Sequence, residues 1–173
     1  MLGLGLRLSK NNKSKNNIQV NSVKNTFVNS YRPDKNYAQS SIELYNGGDS
    51  DSLYGLLYFD LDMIIGKKIE SANLKLYAIN LPEEINIFSK IITSSWIESE
   101  VTYDTKPTLS EEIYSLGSVS PGSDWKIFDV KNIMQDISNG AIYQGLWLYV
   151  ENLYKWCEFS SKELPTLEIS YGC

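Results

Sequence analysis

The 173-residue sequence contains no histidine. Histidine is the usual general base beside a nucleophilic serine or cysteine and a common zinc ligand, so Ser-His systems, Cys-His systems and His-ligated zinc are excluded. Cysteine is scarce as well: Cys157 and Cys173 make no disulfide framework and leave the redox compartment open. No apolar run approaches the roughly 20 residues of a membrane-spanning helix, and we expect no membrane insertion.

Paired carboxylates are the remaining catalytic candidates. Glu98 and Glu100 are two residues apart and could share a strand face. Glycoside hydrolysis, however, needs two carboxyl groups set across a cleft, one of them with a raised pKa. We interpret these residues as structural or solvated acids and expect a protein that is not an enzyme.

Charge is unevenly distributed along the chain. Residues 1–24 contain five basic residues and no acid; since the whole chain carries −5, residues 25–173 carry −10. A basic segment on an acidic body is typical either of a solvated leader or of an arm that meets an acidic partner. We expect that partner to be a neighbouring protein subunit and expect no nucleic acid.

The first residues read MLGLGLRLSKNNKSKNN. Apolar residues come before the charges, which is the reverse of a secretion signal, so we expect no classical secretion. Leucines at every second position suit a strand that adds to the open sheet edge of a neighbour. We therefore predict that residues 1–23 form an extended anchoring arm. Its docking residues would be Leu2, Leu4, Leu6, Leu8, Arg7, Lys10, Lys13 and Lys15.

Residues 24–173 read as one domain of short strands. Ala72, Leu74, Leu76 and Ala78 alternate with polar residues, and similar strand patterns recur between turn signals. A helical 3-4 spacing occurs at residues 130–137, ended by Asn139-Gly140. The pattern predicts an all-β, antiparallel β-sandwich (jelly-roll-like) with one short helix. Strands are predicted at residues 25–30, 42–45, 53–61, 72–78, 85–92, 125–130, 145–151 and 167–171.

Several segments, in order, resemble the DNRLRE (disaggregatase-related) β-sandwich family over residues 24–171. They are YRPDKNYAQSSIELYNGG with LLYFDLDMI, GKKIESANLKLYAI, SSWIESEVTYDTKP, WKIFDVKNIMQDISNG, GLWLYVEN and EFSSKELPTLEISY. The resemblance implies a non-catalytic module of extracellular or cell-surface proteins, related to carbohydrate-binding modules, some of which bind acidic polysaccharides such as alginate. It also implies that Trp96 and Trp125 are core residues. Asn25-Thr26 stands where the family usually has Asp-Thr, which weakens a metal site inherited from relatives.

Two ligand sites are conceivable in the body. Asp49 and Asp51 supply hard oxygen ligands for Ca²⁺ in a loop, although Asp-Ser sequences are also ordinary turn chemistry. Sugar rings stack on exposed aromatic planes, and six aromatic residues could form such a platform, with Trp147 and Tyr149 equally interpretable as core. The body lacks a basic groove, so we expect a neutral glycan. The six are Trp147, Tyr149, Tyr154, Trp156, Tyr45 and Tyr54.

Two functions follow from these features. The first is a structural or attachment component of a larger particle, most plausibly a phage virion or phage-tail-like assembly, held by its arm and displaying a glycan-binding sandwich on the particle surface. The alternative is a free-standing carbohydrate-binding module acting extracellularly at a cell surface.

Overall fold

The computed structural model describes residues 15–48 and 51–172. In this part of the chain there are eleven strands, one α-helix and one 3₁₀-helix at Asp62–Ile64. The strands are β1 Lys15–Asn21, β2 Lys24–Asn29, β3 Ile42–Asn46, β4 Ser52–Tyr58, β5 Lys68–Asn80, β6 Ile85–Ile92, β7 Tyr114–Val119, β8 Trp125–Asp129, β9 Gly145–Val150, β10 Trp156–Phe159 and β11 Thr166–Gly172, and the helix α1 is Lys131–Ser138.

All the strand pairs are antiparallel, and they form one curled sheet. We call β2, β4, β9, β6 and β7, in that spatial order, the front sheet. The back sheet is β8, β5, β11 and β1. Strands β10 and β3 connect the two, because β10 pairs with β5 and β3, and β3 pairs with β4. The predicted all-β antiparallel fold is confirmed.

The inner faces of the two sheets share one hydrophobic core. Leu74 and Leu76 of β5 and Leu146 and Leu148 of β9 are fully buried in the same cluster. Strand β5 alternates buried and exposed positions, as its sequence predicts. Cys157 is a free thiol in this core, where burial raises its pKa.

The helix α1 lies where the 3-4 spacing predicts it, within one residue at each end. Ile133, Met134 and Ile137 are buried against the core. Gly140 follows with a positive φ of 103°, a conformation that glycine adopts without steric cost. No helix in the described ranges is both long and apolar enough to span a membrane.

Strand β1 lies within the segment predicted to be an arm. Residues Lys15–Asn21 pair along their whole length with β11, from Lys15 opposite Gly172 to Asn21 opposite Thr166. Of the predicted docking residues, Lys15 is thus the exposed first residue of an edge strand. The other seven (Leu2, Leu4, Leu6, Leu8, Arg7, Lys10 and Lys13) lie outside the described residues, and the anchoring role stays a prediction.

Candidate functional site

A second apolar cluster covers part of the outer face of the front sheet. It contains Trp147 of β9 and Leu56 of β4, with Trp96 and Val101 from the segment between β6 and β7 folded over them. Trp147 is only 4% exposed. Of the two interpretations of Trp147, as a core residue or as part of a sugar platform, its burial agrees with the core residue.

Three of the predicted tyrosines meet at one cleft of about 470 Å³. Tyr45 comes from the end of β3, Tyr54 from the start of β4 and Tyr149 from the end of β9. We call this the tyrosine cleft. Its other lining residues are Asn46, Gly48, Ser52, Val150, Glu151 and Leu153.

Two of the three tyrosine rings, those of Tyr54 and Tyr149, are held by aromatic packing beside them. Tyr54 stacks on the buried Trp147, with ring centroids 4.9 Å apart, and on Tyr103 at 6.0 Å. Tyr149 stacks on Phe88 at 5.7 Å. Burial raises the pKa of both Tyr54 and Tyr149, so their hydroxyls stay protonated at neutral pH and can both donate and accept hydrogen bonds. These rings are fixed before any ligand arrives.

The β3–β4 turn shapes one wall of the cleft. A Cβ at Gly47 would lie 2.3 Å from the Asp51 carbonyl oxygen and 2.6 Å from Cε1 of Tyr45. The side chain of Asn46 donates to the Glu151 carbonyl at 2.7 Å and accepts from the Gly48 N–H at 3.1 Å. The turn is thereby tied to the end of β9, which carries Tyr149.

Tyr154 and Trp156 flank the cleft without lining it. Tyr154 is 73% exposed and has a positive φ of 60°, and its N–H donates to the carbonyl of Asn46. Trp156 is half-buried opposite Tyr45, and its indole N–H donates to Glu43 at 3.4 Å. Of the six predicted aromatic residues, three therefore line the cleft (Tyr45, Tyr54 and Tyr149). Trp147 supports it from the buried cluster, and Tyr154 and Trp156 lie beside it.

The acidic residues have structural environments. Glu98 accepts the backbone N–H of Asn25 at 2.7 Å, and Glu100 is exposed. Asp51 is exposed and Asp49 lies outside the described residues. Among the residues that the structure describes, no group of three Asp, Glu, His or Cys side chains could hold a metal ion. The calcium site stays a prediction.

The expectation that Trp125 is a core residue was wrong, because Trp125 is 44% exposed. Strand β8 directs Lys126 and Phe128 inward, and Trp125 and Ile127 therefore face solvent. The charged end of Lys126 reaches out to pair with Asp124. Apolar residues occupy both faces of this strand, so alternation alone could not say which face is covered. Trp96, in contrast, is buried as expected, and its indole N–H donates to Gln144 at 2.8 Å.

The sequence model described as carbohydrate-binding module family 96 matches residues 16–170. The chain belongs to this family. The match begins in β1 and ends in β11, so both strands are part of the family 96 domain. No curated protein matches the chain. Kinship to a carbohydrate-binding family is confirmed, while the DNRLRE name stays a prediction.

Proposed function

We propose that this family 96 chain is a non-catalytic module that binds a neutral saccharide in the tyrosine cleft. The observation that carries the proposal is the meeting of Tyr45, Tyr54 and Tyr149 with polar side chains at one concave site. Binding sites for small molecules commonly combine an aromatic lining with a few polar groups that fix orientation.

The chemistry of the cleft matches a sugar ring. The C–H faces of a pyranose pack on aromatic planes, which the rings of Tyr45 and Tyr149 supply at the cleft, while Tyr54 stacks on Trp147 and Tyr103. Tyrosine and serine hydroxyls and the Glu151 carboxylate can exchange hydrogen bonds with sugar hydroxyls. Because Trp147 and Phe88 hold two of the rings, little side-chain freedom is lost on binding, which favours affinity.

The charge of the cleft favours a neutral ligand. Glu151 is the charged residue among the described lining residues, and no lysine or arginine lines the cleft there. A carboxylated sugar would meet this negative charge without a compensating cation. Residues 25–173 as a whole also carry a net negative charge, of −10.

Affinity electrophoresis of the full chain tests the proposal. The gels would contain arabinoxylan, mixed-linkage β-glucan, glucomannan or galactomannan, with alginate as the anionic comparison. We expect at least one neutral polysaccharide to retard the wild type and Tyr149→Ala to weaken the apparent affinity about tenfold, since a ring contact is lost. Tyr149→Phe, which keeps the ring, should lose less.

Tyr171→Ala is the matched control. Tyr171 is also half-buried, but it lies on β11 and packs on the central core. It should keep wild-type retardation in every gel. Retardation by alginate alone would contradict the neutral ligand. No retardation of the wild type in any gel would contradict saccharide binding itself.

The first of the two functions predicted from the sequence, a component of a phage virion or phage-tail-like particle, rests chiefly on the leucines of the first eight residues. Those residues lie outside the described part of the chain, and the family match carries no information on a particle. The placement on a particle stays a prediction.

A further inference from the structure

The outer face of the back sheet is a polar surface with one exposed aromatic end. Strand register places side chains of β8, β5, β11 and β1 on it in rows across the sheet. One row is Asp129, Asn73, Glu168 and Gln19, and the next is Ile127, Lys75, Thr166 and Asn21. Trp125 and Tyr77 stand opposite each other at the end of the face. We call this surface the back-sheet face.

Two shallow grooves make the back-sheet face concave. One, of about 400 Å³, is lined by residues that include Asn17, Ser71 and Glu168. The other, of about 340 Å³, is lined by residues that include Lys75 and Trp125. Gln19 lines both, so the two grooves adjoin at β1, and we call them together the hollow. Strands β1 and β8 lie three strand spacings, about 14 Å, apart.

At one end of the hollow, two neighbouring side chains hold the ring of Trp125 in place. Its ring and that of Tyr77 form a T-shaped pair with centroids 5.5 Å apart, and the ammonium of Lys75 lies 5.8 Å from its centroid. The residue as a whole is 44% exposed. An exposed and oriented tryptophan on a polar face is suited to stacking against a sugar ring.

Five polar side chains of the hollow are available to a ligand. The carboxamides of Asn17, Gln19 and Asn73 and the hydroxyls of Ser71 and Ser170 make no side-chain hydrogen bond within the described ranges. Amides and hydroxyls each donate and accept, which is the pattern that sugar hydroxyls require.

The charges of the hollow balance. Lys75 and Glu168 pair at 3.0 Å in its centre, and Lys162 and Glu163 both line its second groove. A neutral ligand therefore fits better than an anion or a cation.

We propose that the back-sheet face is a second saccharide site, which takes a neutral oligosaccharide laid across β1, β11, β5 and β8 with one ring stacked on Trp125. The ligand class rests on the proposed function, but the residues are separate from those of the tyrosine cleft. Two sites on opposite sheets would let one chain engage two saccharide chains or two segments of one.

The test uses the full chain in the same neutral polysaccharide gels, with Trp125→Ala, Tyr149→Ala and the double variant. Trp125→Ala should weaken retardation about tenfold, Trp125→Phe less, and the double variant more than either single change. Asn73→Ala tests the amides, and Asn132→Ala, an exposed asparagine on α1, is its control and should run as wild type.

Tryptophan fluorescence separates the two sites. Trp96 and Trp147 are buried, Trp156 is half-buried beside the tyrosine cleft and Trp125 is exposed. Quenching is therefore followed in a Trp156→Phe background, where the polysaccharide should protect Trp125 from acrylamide. Adding Tyr149→Ala should keep that protection; its loss there would assign the shielding to the tyrosine cleft and overturn the second site.

The outcomes distinguish the two proposals. Retardation that Tyr149→Ala abolishes and Trp125→Ala leaves unchanged overturns the second site alone. A wild type that no gel retards overturns the proposed function as well. A change from dimer to monomer in Trp125→Ala, measured by light scattering, would make this face a contact between copies and also overturn the proposal.

Discussion

Tyr45 lies against the β3–β4 turn because residue 47 has no side chain. A methyl group there would overlap the Asp51 carbonyl and the Tyr45 ring, at 2.3 and 2.6 Å. We predict that Gly47→Ala displaces Tyr45, destabilises the fold by about 1–3 kcal/mol as overpacking does, and weakens saccharide binding. Denaturant unfolding and affinity electrophoresis measure the two effects.

Gly117→Ala is the control for that change. Gly117 has a positive φ of 91° but open space around its Cα, so alanine there costs about 1–2 kcal/mol of backbone strain without touching the cleft. Its saccharide binding should equal that of the wild type. Equal binding by Gly47→Ala would contradict the role given to the turn.

Glu43 is a residue whose charge works against the fold. It lies opposite Glu158 on the neighbouring strand, and its pKa is raised by burial and by Glu158, against the hydrogen bond from Trp156. Because the folded-state pKa lies above the ordinary value of 4.5, stability falls as the pH rises through 4.5 to the raised pKa, and the loss is complete above it.

We therefore predict that Glu43→Gln stabilises the chain at pH 7 by about 0.5 kcal/mol, a small gain because the side chain is half-exposed and solvent screens the charges. At about pH 3, where glutamate is protonated in both states, the difference should vanish. Thermal unfolding at the two pH values measures it, with the exposed Glu100→Gln as control. A gain that persists at pH 3 would exclude the electrostatic cause.

At the scale of elements, β1 is the edge strand of the back sheet and pairs with β11. Ile18 and Val20 pack partly buried against the core. We predict that deletion of residues 1–21 lowers the free energy of unfolding by about 2 kcal/mol and removes Asn17 and Gln19 from the back-sheet face. Deletion of residues 1–14, which keeps β1 whole, is the matched truncation. Equal stability of the two truncations would show that β1 adds nothing to the fold.

The sequence predicted elements wherever one periodicity dominated. Alternation located β5 and the 3-4 spacing located α1. Strand β7 was missed because the alternation of Tyr114 and Leu116 is interrupted at Gly117, which has a positive φ, before Val119. Strand β1 was placed in the arm because its asparagines and lysine resemble those of the leader.

Which aromatic residues reach the surface could not be predicted from local pattern. Trp147 and Trp125 both lie in strands with apolar residues on two faces. Trp147 is buried because Trp96 and Val101, from a distant segment, fold over it. No comparable segment covers Trp125 within the described residues. Tertiary contacts, and not alternation, decide between core and surface here.

At the scale of the whole molecule, the fold carries one aromatic cleft where β3, β4 and β9 end and one polar face on the opposite sheet. The core lies between the two sheets, and no described residue lines both the cleft and the hollow. We expect the cleft and face variants to act additively on binding, as distant sites do.

The most direct measurement of the central claim is chemical-shift mapping of the isotope-labelled chain with soluble cello-, xylo- and manno-oligosaccharides. The account predicts that the ring signals of Tyr45, Tyr54 and Tyr149 shift together and saturably with at least one of them, and that Tyr149→Ala raises the oligosaccharide concentration needed for the shifts at the other two about tenfold. Saturable shifts that leave all three tyrosines unmoved would contradict saccharide binding in the tyrosine cleft.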